Sequence, residues 1–313
     1  MLLELALTVA LAHGGARCEP IREPYAGTLC APNAGARHPA MIVLGGSEGG
    51  DSMRGIARRF AERGYVATTV SYFGQRGLPN TLQQIPVENV GRALDALLHR
   101  KDVDGARVGI LGVSKGGELA LLAASTYSQI HAVVADVPSP FAWSGIAGAT
   151  PDPGSSWTVS GKPVPYVLID ASVGMEFMAA MQAHRPVSLR PAYDASMQNR
   201  EAVDKAMFHL ERINGPVLFL AGDDDKLWDS PAQSKLGMEY LRAHHHPFAD
   251  LYRHYPQAGH LFIAALDPHV NAEQADVGNG LSFAFGGTPQ GNRSAGRQAW
   301  AAIDTFVKER LRP

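Results

Sequence analysis

The chain has 313 residues, 45% of them hydrophobic, which is enough to bury the core of one large α/β domain and suits that better than two small ones. Its 28 basic and 30 acidic side chains leave a formal charge of −2 with no long run of either sign, so no electrostatic footprint for phosphate backbones appears and nucleic acid is not an expected partner. Cys18 and Cys30 are too few for a disulfide scaffold and lack metal-site spacing, although a single bridge between them is open in an oxidising compartment.

The first segment, MLLELALTVALAHGGARC, carries an apolar run from Leu2 to Ala12 followed by small residues, as in a secretory signal, but it has no basic start and Glu4 interrupts it. Residues 1–20 are therefore expected to be a signal or a disordered segment, and an exported or periplasmic location is favoured over a cytoplasmic one. A first helix or strand leaning on the domain is the other reading. No later run approaches the roughly 18 consecutive apolar residues of a membrane span, so no stable membrane insertion is expected.

From there short apolar runs alternate with helix-period segments, the pattern of a mostly parallel sheet covered on both faces. An antiparallel strand is predicted at Arg22–Cys30, and further strands at Ala40–Gly46, Tyr65–Tyr72, Arg107–Gly112, His131–Val137, Pro216–Gly222 and Asp250–Tyr255. Helices are predicted at Ser52–Arg63, Pro86–Arg100, Lys115–Ser125, Glu201–Arg212, Pro231–His245 and Gly296–Leu311. Between Pro138 and Pro191 the rhythm fails in favour of Pro, Gly and Ser, which reads as a loop-rich cap inserted into a single domain spanning 21–313.

Gly112-Val113-Ser114-Lys115-Gly116 matches G-x-S-x-G, with a strand before it and a helix after it. In such an elbow the serine sits in a strained turn above the sheet edge, and the helix aims its first amides at the charge that develops in acyl transfer. The alternative is an ordinary corner in which Ser114 caps the helix. A serine nucleophile needs a histidine oriented by a carboxylate, and in this architecture the order is Ser, acid, His. The acidic turn Asp223-Asp224-Asp225 follows one later strand and His260 follows the next. The residues alone leave the choice among the three aspartates open. The turn LGGSEGGD places the backbone N–H of Ser47 or Glu48 where it joins that of Lys115 in an oxyanion hole. The same turn does not fit G-x-G-x-x-G, and the chain has no P-loop, so no cofactor is implied. His244, His245 and His246 are consecutive at a helix end and point apart, which argues for a solvated terminus and against a metal site.

The stretches GVSKGGELALLAAS, SSWTVSGKPVPY, GDDDKLWDS, YPQAGHLF and FGGTPQGNRSAGRQAW resemble the acyl-CoA thioester hydrolase and bile acid-CoA:amino acid N-acyltransferase family in its C-terminal catalytic domain. The resemblance runs from about Pro39 onward and implies an α/β-hydrolase fold, a nucleophile at Ser114, an acid at Asp225 and a base at His260. Members that conjugate acyl groups to amines carry cysteine at the nucleophile, so Ser114 points to water as the acceptor. The expected activity is hydrolysis of a small-molecule acyl thioester or ester through an acyl-enzyme. An exported carboxylesterase or peptidase, an acyl-CoA:amino acid N-acyltransferase and a catalytically silent binding module are the alternatives, and the complete Ser–Asp–His order argues against the last.

Overall fold

The computed structural model describes residues 15–33, 37–148, 150–278 and 281–311. The signal-like Leu2–Ala12 run lies outside them. In chain order the first half comprises β1 (Ala16–Ile21), β2 (Gly27–Pro32), β3 (His38–Leu44), α1 (Arg54–Ala61), β4 (Val66–Thr69), β5 (Ile85–Pro86), α2 (Glu88–Leu98), β6 (Val103–Val113), α3 (Lys115–Thr126) and β7 (Ala132–Asp136). The second half comprises β8 (Trp157–Val159), β9 (Lys162–Pro163), α4 (Ser172–Gln182), α5 (Arg190–Ser196), α6 (Arg200–Ala206), β10 (Val217–Gly222), α7 (Ser230–Ala243), β11 (Leu251–Tyr255), β12 (Gln274–Gly278), β13 (Leu281–Ala284) and α8 (Pro289–Leu311).

Eight strands form the main sheet in the order β1-β2-β4-β3-β6-β7-β10-β11. The β1–β2 and β2–β4 pairings are antiparallel, and all pairings from β4 to β11 are parallel. Because alternate side chains of a strand face opposite sides, each central strand feeds two cores. Ile42, Val133 and Phe219 enter one, with Leu94 of α2, Leu119 of α3 and Leu241 of α7. Met41, Val134 and Leu220 enter the other, with Phe60 of α1 and Trp300 and Phe306 of α8. This is the α/β-hydrolase fold expected from the motif and its strand–helix rhythm. Among the described residues no helix is long and apolar enough to cross a membrane.

Several boundaries move. Ala16–Ile21 pairs with β2 residue for residue, so the folded sheet begins ahead of residue 21, and Cys18 faces Cys30 in that register and is disulfide-bonded to it. The stretch between β7 and β10 is not pure loop. Its Trp157–Val159 segment joins β5 and β9 in a small separate sheet, and its aromatic side chains Phe141, Trp143 and Tyr193 form a third buried cluster with Val167, Val203 and, from the loop after β10, Trp228. The helix expected over Glu201–Arg212 ends at Ala206, because Met207 pairs with Phe141 and the Phe208 amide donates to the Pro140 carbonyl. The last helix starts at Pro289, seven residues early, where proline at a first helical position costs nothing.

The three histidines at the end of α7 diverge, but not all are solvated. His244 stacks on Tyr240 at 3.9 Å, whereas the His246 side chain is only 1% exposed and donates from Nδ1 to Asp250 at 2.7 Å and from Nε2 to the Ile213 carbonyl at 2.9 Å. Among the described residues no group of three or more His, Cys, Asp or Glu side chains is placed to hold a metal.

Candidate active site

β6 is buried and apolar from Val108 to Val113, where the chain turns into α3 within one residue. Ser114 takes φ 56° and ψ −122°, a conformation that costs a non-glycine residue on the order of 1–3 kcal/mol and persists only where its surroundings enforce it. They do so through the two flanking glycines. A Cβ on Gly112 would collide with the Gly116 carbonyl, and one on Gly116 would collide with the Gly45 carbonyl. The Ser114 amide is held by the Asp136 carbonyl at 2.9 Å.

His260 follows β11 on a loop that β13 supports: its amide donates to the Phe285 carbonyl at 2.7 Å. Its ring meets Trp228 edge-on at 5.3 Å and lies near-parallel to Phe285 at 6.1 Å. Nδ1 is 2.8 Å from Asp225 Oδ2 and Nε2 is 2.8 Å from Ser114 Oγ. A carboxylate only accepts, so Nδ1 carries the proton and Nε2 is left to accept from the Ser114 hydroxyl. Asp225 is fully buried, and its other oxygen accepts from the amides of Leu227 (2.9 Å) and Trp228 (3.2 Å), which fixes the carboxylate plane. The neighbouring aspartates point elsewhere. Asp223 pairs with His254 on the surface, and Asp224 pairs with Lys226 and accepts from the Gly287 amide.

The turn after β3 packs against the elbow. A Cβ on Gly46 would lie 3.2 Å from that of Ser114, and Ser47 and Glu48 follow at once with both side chains exposed. The Glu48 carboxylate folds back to accept from the Gly46 amide at 3.0 Å and from the Ser52 hydroxyl. Among the described residues the amides of Ser47, Glu48 and Lys115 meet no acceptor.

The sequence profile described as BAAT / Acyl-CoA thioester hydrolase C terminal matches residues 85–313. The chain belongs to this family. A second profile, the Dienelactone hydrolase family, matches residues 26–142. Human acyl-coenzyme A thioesterase 1 is 28% identical over 300 residues, which span 95% of this chain and 66% of the relative. Mouse acyl-coenzyme A amino acid N-acyltransferase 1 is 27% identical over 298 residues, again 95% of this chain and 66% of the relative. The chain thus spans just under two thirds of the length of these curated relatives. Among solved structures, an esterase of Pyrobaculum calidifontis superposes with a TM-score of 0.55 at 16% identity, covering 94% of this chain and 85% of the esterase. A dienelactone hydrolase-like promiscuous phosphotriesterase from metagenomic libraries gives 0.55 at 18% identity, covering 95% and 100%. At these identities the likeness is one of fold.

Within the family framework, four residues around the site escape a reading by motif. Tyr72 is buried and donates to the carbonyls of Gly45 (2.6 Å) and Gly46 (2.9 Å); burial, reinforced by the charges of Glu48 and Glu118, holds its hydroxyl protonated far above the usual tyrosine range. Asn292 at the start of α8 accepts from the Gly259 amide at 2.8 Å and donates to the Gly286 carbonyl at 3.2 Å, clamping the His260 loop to the β13 turn. Phe285 covers one face of His260. Asp136, beside the elbow, is fully buried with neither carboxyl oxygen hydrogen-bonded, and burial, with the Asp225 charge adding to it, drives its pKa well above the carboxylate range.

Proposed function

We propose that this chain is a serine hydrolase of small-molecule acyl thioesters or esters, with Ser114 as nucleophile, His260 as general base and acid, and Asp225 as the orienting carboxylate. The observation that carries the reading is the continuous hydrogen-bonded line Asp225–His260–Ser114 ending at a serine with positive φ. As Ser114 Oγ bonds to the acyl carbon, its proton passes to His260 Nε2 and the carbonyl oxygen becomes an oxyanion. The Lys115 amide, with that of Ser47 or Glu48, donates to that oxygen. Collapse breaks the bond to the thiolate or alkoxide, which leaves with the proton from His260. Water then attacks the acyl-Ser114 ester with His260 again as base, and the acid departs as Ser114 regains its proton. Asp225 stays ionised throughout, holding Nδ1–H and offsetting the imidazolium charge.

The relatives named above supply the substrate class, acyl-CoA. Serine at the nucleophile supports water as acceptor over an amino acid. The stretch from 138 to about 191 is read as a cap that narrows the acyl side of the site within a single domain, supported by the packing of its Phe141, Trp143 and Val167 in one cluster with Trp228, which meets His260.

A second reading, an exported carboxylesterase or peptidase, draws on the Cys18–Cys30 disulfide, which suits an oxidising compartment where acyl-CoA is scarce. A panel of acyl-CoA, p-nitrophenyl ester and peptide substrates separates the two by kcat/KM. In parallel, a fluorophosphonate should label Ser114 alone, and Ser114→Ala should remove both labelling and turnover while the protein stays folded. Label on another serine, or full turnover by folded Ser114→Ala, overturns the mechanism.

A further inference from the structure

The first turn of α3 holds a charged group that the reaction above does not use. Glu118 is fully buried, and its Oε1 accepts from Lys115 Nζ (2.8 Å), the Trp157 indole (2.6 Å) and the Trp143 amide (3.1 Å), while Oε2 accepts from Lys115 Nζ at 2.8 Å. Four hydrogen bonds on one carboxylate in a dry interior are costly to assemble, because neither charge of the pair regains its hydration unless every partner is in place. Burial accordingly pushes the Glu118 carboxyl up and the Lys115 ammonium down. A stability role alone does not require a charge here, since buried pairs are often replaceable by apolar residues of similar volume.

The network is placed between two parts of the site. Lys115 is the residue whose backbone amide opens α3 next to Ser114, and its side chain sits 5.3 Å over the Trp157 ring. The Trp157 ring also meets Tyr72, T-shaped with centroids 5.7 Å apart, and Tyr72 holds the carbonyls of Gly45 and Gly46. Trp143 and Trp157 belong to the stretch between β7 and β10. One carboxylate therefore joins the elbow helix, the turn after β3 and the inserted stretch.

We propose that Glu118 is a positioning residue for the oxyanion-binding amides, locking Lys115 from one side and, through Trp157 and Tyr72, the Gly45–Gly46 turn from the other. The proposal rests on the reading of Lys115 and the Ser47–Glu48 turn as oxyanion donors. Positioning of this kind acts on the transition state, where donors must reach the displaced oxygen, and hardly on ground-state binding.

The test compares the full-length wild-type protein with Glu118→Gln and Trp157→Phe. Glu118→Gln keeps an oxygen for the two tryptophans but removes the charge that holds Lys115; Trp157→Phe keeps an aromatic edge on Tyr72 but removes the indole donor. Each variant is assayed for kcat and KM on a p-nitrophenyl ester, for inhibition by a trifluoromethyl ketone whose hemiketal oxyanion occupies the same amides, and for thermal unfolding. Glu118→Gln is expected to lower kcat by about 10- to 100-fold and to weaken the ketone by a similar factor, with KM within about twofold. Trp157→Phe is expected to move both in the same direction by roughly three- to tenfold, and it carries the test if Glu118→Gln does not fold. Folded variants that unfold at a lower temperature yet keep wild-type kcat and ketone affinity would overturn the proposal. Fluorophosphonate labelling of wild-type Ser114 in the same samples reports on the underlying mechanism separately: label present with Glu118→Gln unaffected refutes the positioning role alone, and label absent refutes the serine mechanism itself.

Discussion

The Tyr72 hydroxyl reaches from beyond the end of β4 to the carbonyl oxygen of Gly45, 2.6 Å away, and so holds the turn after β3 from beneath. The same hydroxyl is 2.9 Å from the Gly46 carbonyl, one residue before the amides proposed to meet the oxyanion. Tyr72→Phe removes the donor and leaves two carbonyls short of a partner in a buried place, a loss of about 1–3 kcal/mol. Its kcat on an ester substrate is expected to fall roughly tenfold, since a donor displaced by a fraction of an ångström loses much of its effect. Unchanged steady-state kinetics in the folded variant would separate the turn from the chemistry.

Gly116 faces the Gly45 carbonyl with no space for a side chain. Gly116→Ala must push the elbow away from β3 or unwind the first turn of α3. Either shift moves Ser114 and Lys115 together, so turnover is expected to drop by about 100-fold or more, with slower fluorophosphonate labelling followed by mass spectrometry. Gly55→Ala is the control, because nothing stands within 4 Å of a Cβ there.

The three consecutive aspartates after β10 differ in kind. Asp225→Asn keeps the shape of the buried side chain but offers His260 an amide, which favours the wrong tautomer, and kcat is expected to fall by about 10⁴-fold as in serine hydrolases of other folds. Asp223→Asn and Asp224→Asn remove ion pairs with His254 and Lys226, an amide oxygen at 224 can still accept from the Gly287 N–H, and both variants should stay within about threefold of wild type. A ranking by kcat with Asp224→Asn as the weakest enzyme would contradict the hydrogen-bond geometry.

His246 makes folding stability depend on pH. Burial opposes its charge, but the Asp250 carboxylate and the Ile213 carbonyl both accept from the ring and together raise its pKa above the ordinary histidine value. A group whose pKa is raised on folding binds its proton more tightly in the native state. Its stabilisation is therefore complete below the unfolded pKa of about 6.5 and disappears as pH rises through the folded value. Denaturant melts of wild type and His246→Gln should show the largest difference near pH 5.5 and a shrinking one toward pH 9. A difference that grows with pH would mean the ring is buried neutral.

Asp136 gives folding stability a pH dependence of the same sign, by a different cause. Its raised pKa means that folding favours the protonated carboxyl, so stability declines as pH climbs from the ordinary aspartate range toward the folded value. Asp136→Asn removes that ionisation without changing the shape, and its melting temperature relative to wild type should improve as pH rises above the ordinary aspartate range. A constant offset across that rise would place the charge elsewhere.

Much of this protein was legible in one dimension. The alternation of apolar runs and helix-period segments follows directly from strands that bury both faces under helices, so the central strands and the helices between them could be placed from pattern alone. Ser114 was legible because its backbone conformation demands small neighbours, and Gly112 and Gly116 write that demand into the sequence. His260 followed from its place after the last parallel strand. Other features depend on contacts between distant segments and leave no periodic trace. Asp225 is distinguished from Asp223 and Asp224 by the residue-scale path of one turn against His260, 35 positions away. The end of α6 is set by Phe141 pairing with Met207, and β8 becomes a strand because Ile85 lies beside Trp157. His246 reads as a surface residue until Asp250 and Ile213 close over it. Local sequence determined which segments fold as strand or helix and where the chain turns at Ser114, because those rest on backbone sterics and solvent exposure within a few residues. The tertiary structure decided which buried polar groups share a hydrogen bond, because that depends on where separate segments meet in space and on the cost of leaving any such group unpaired.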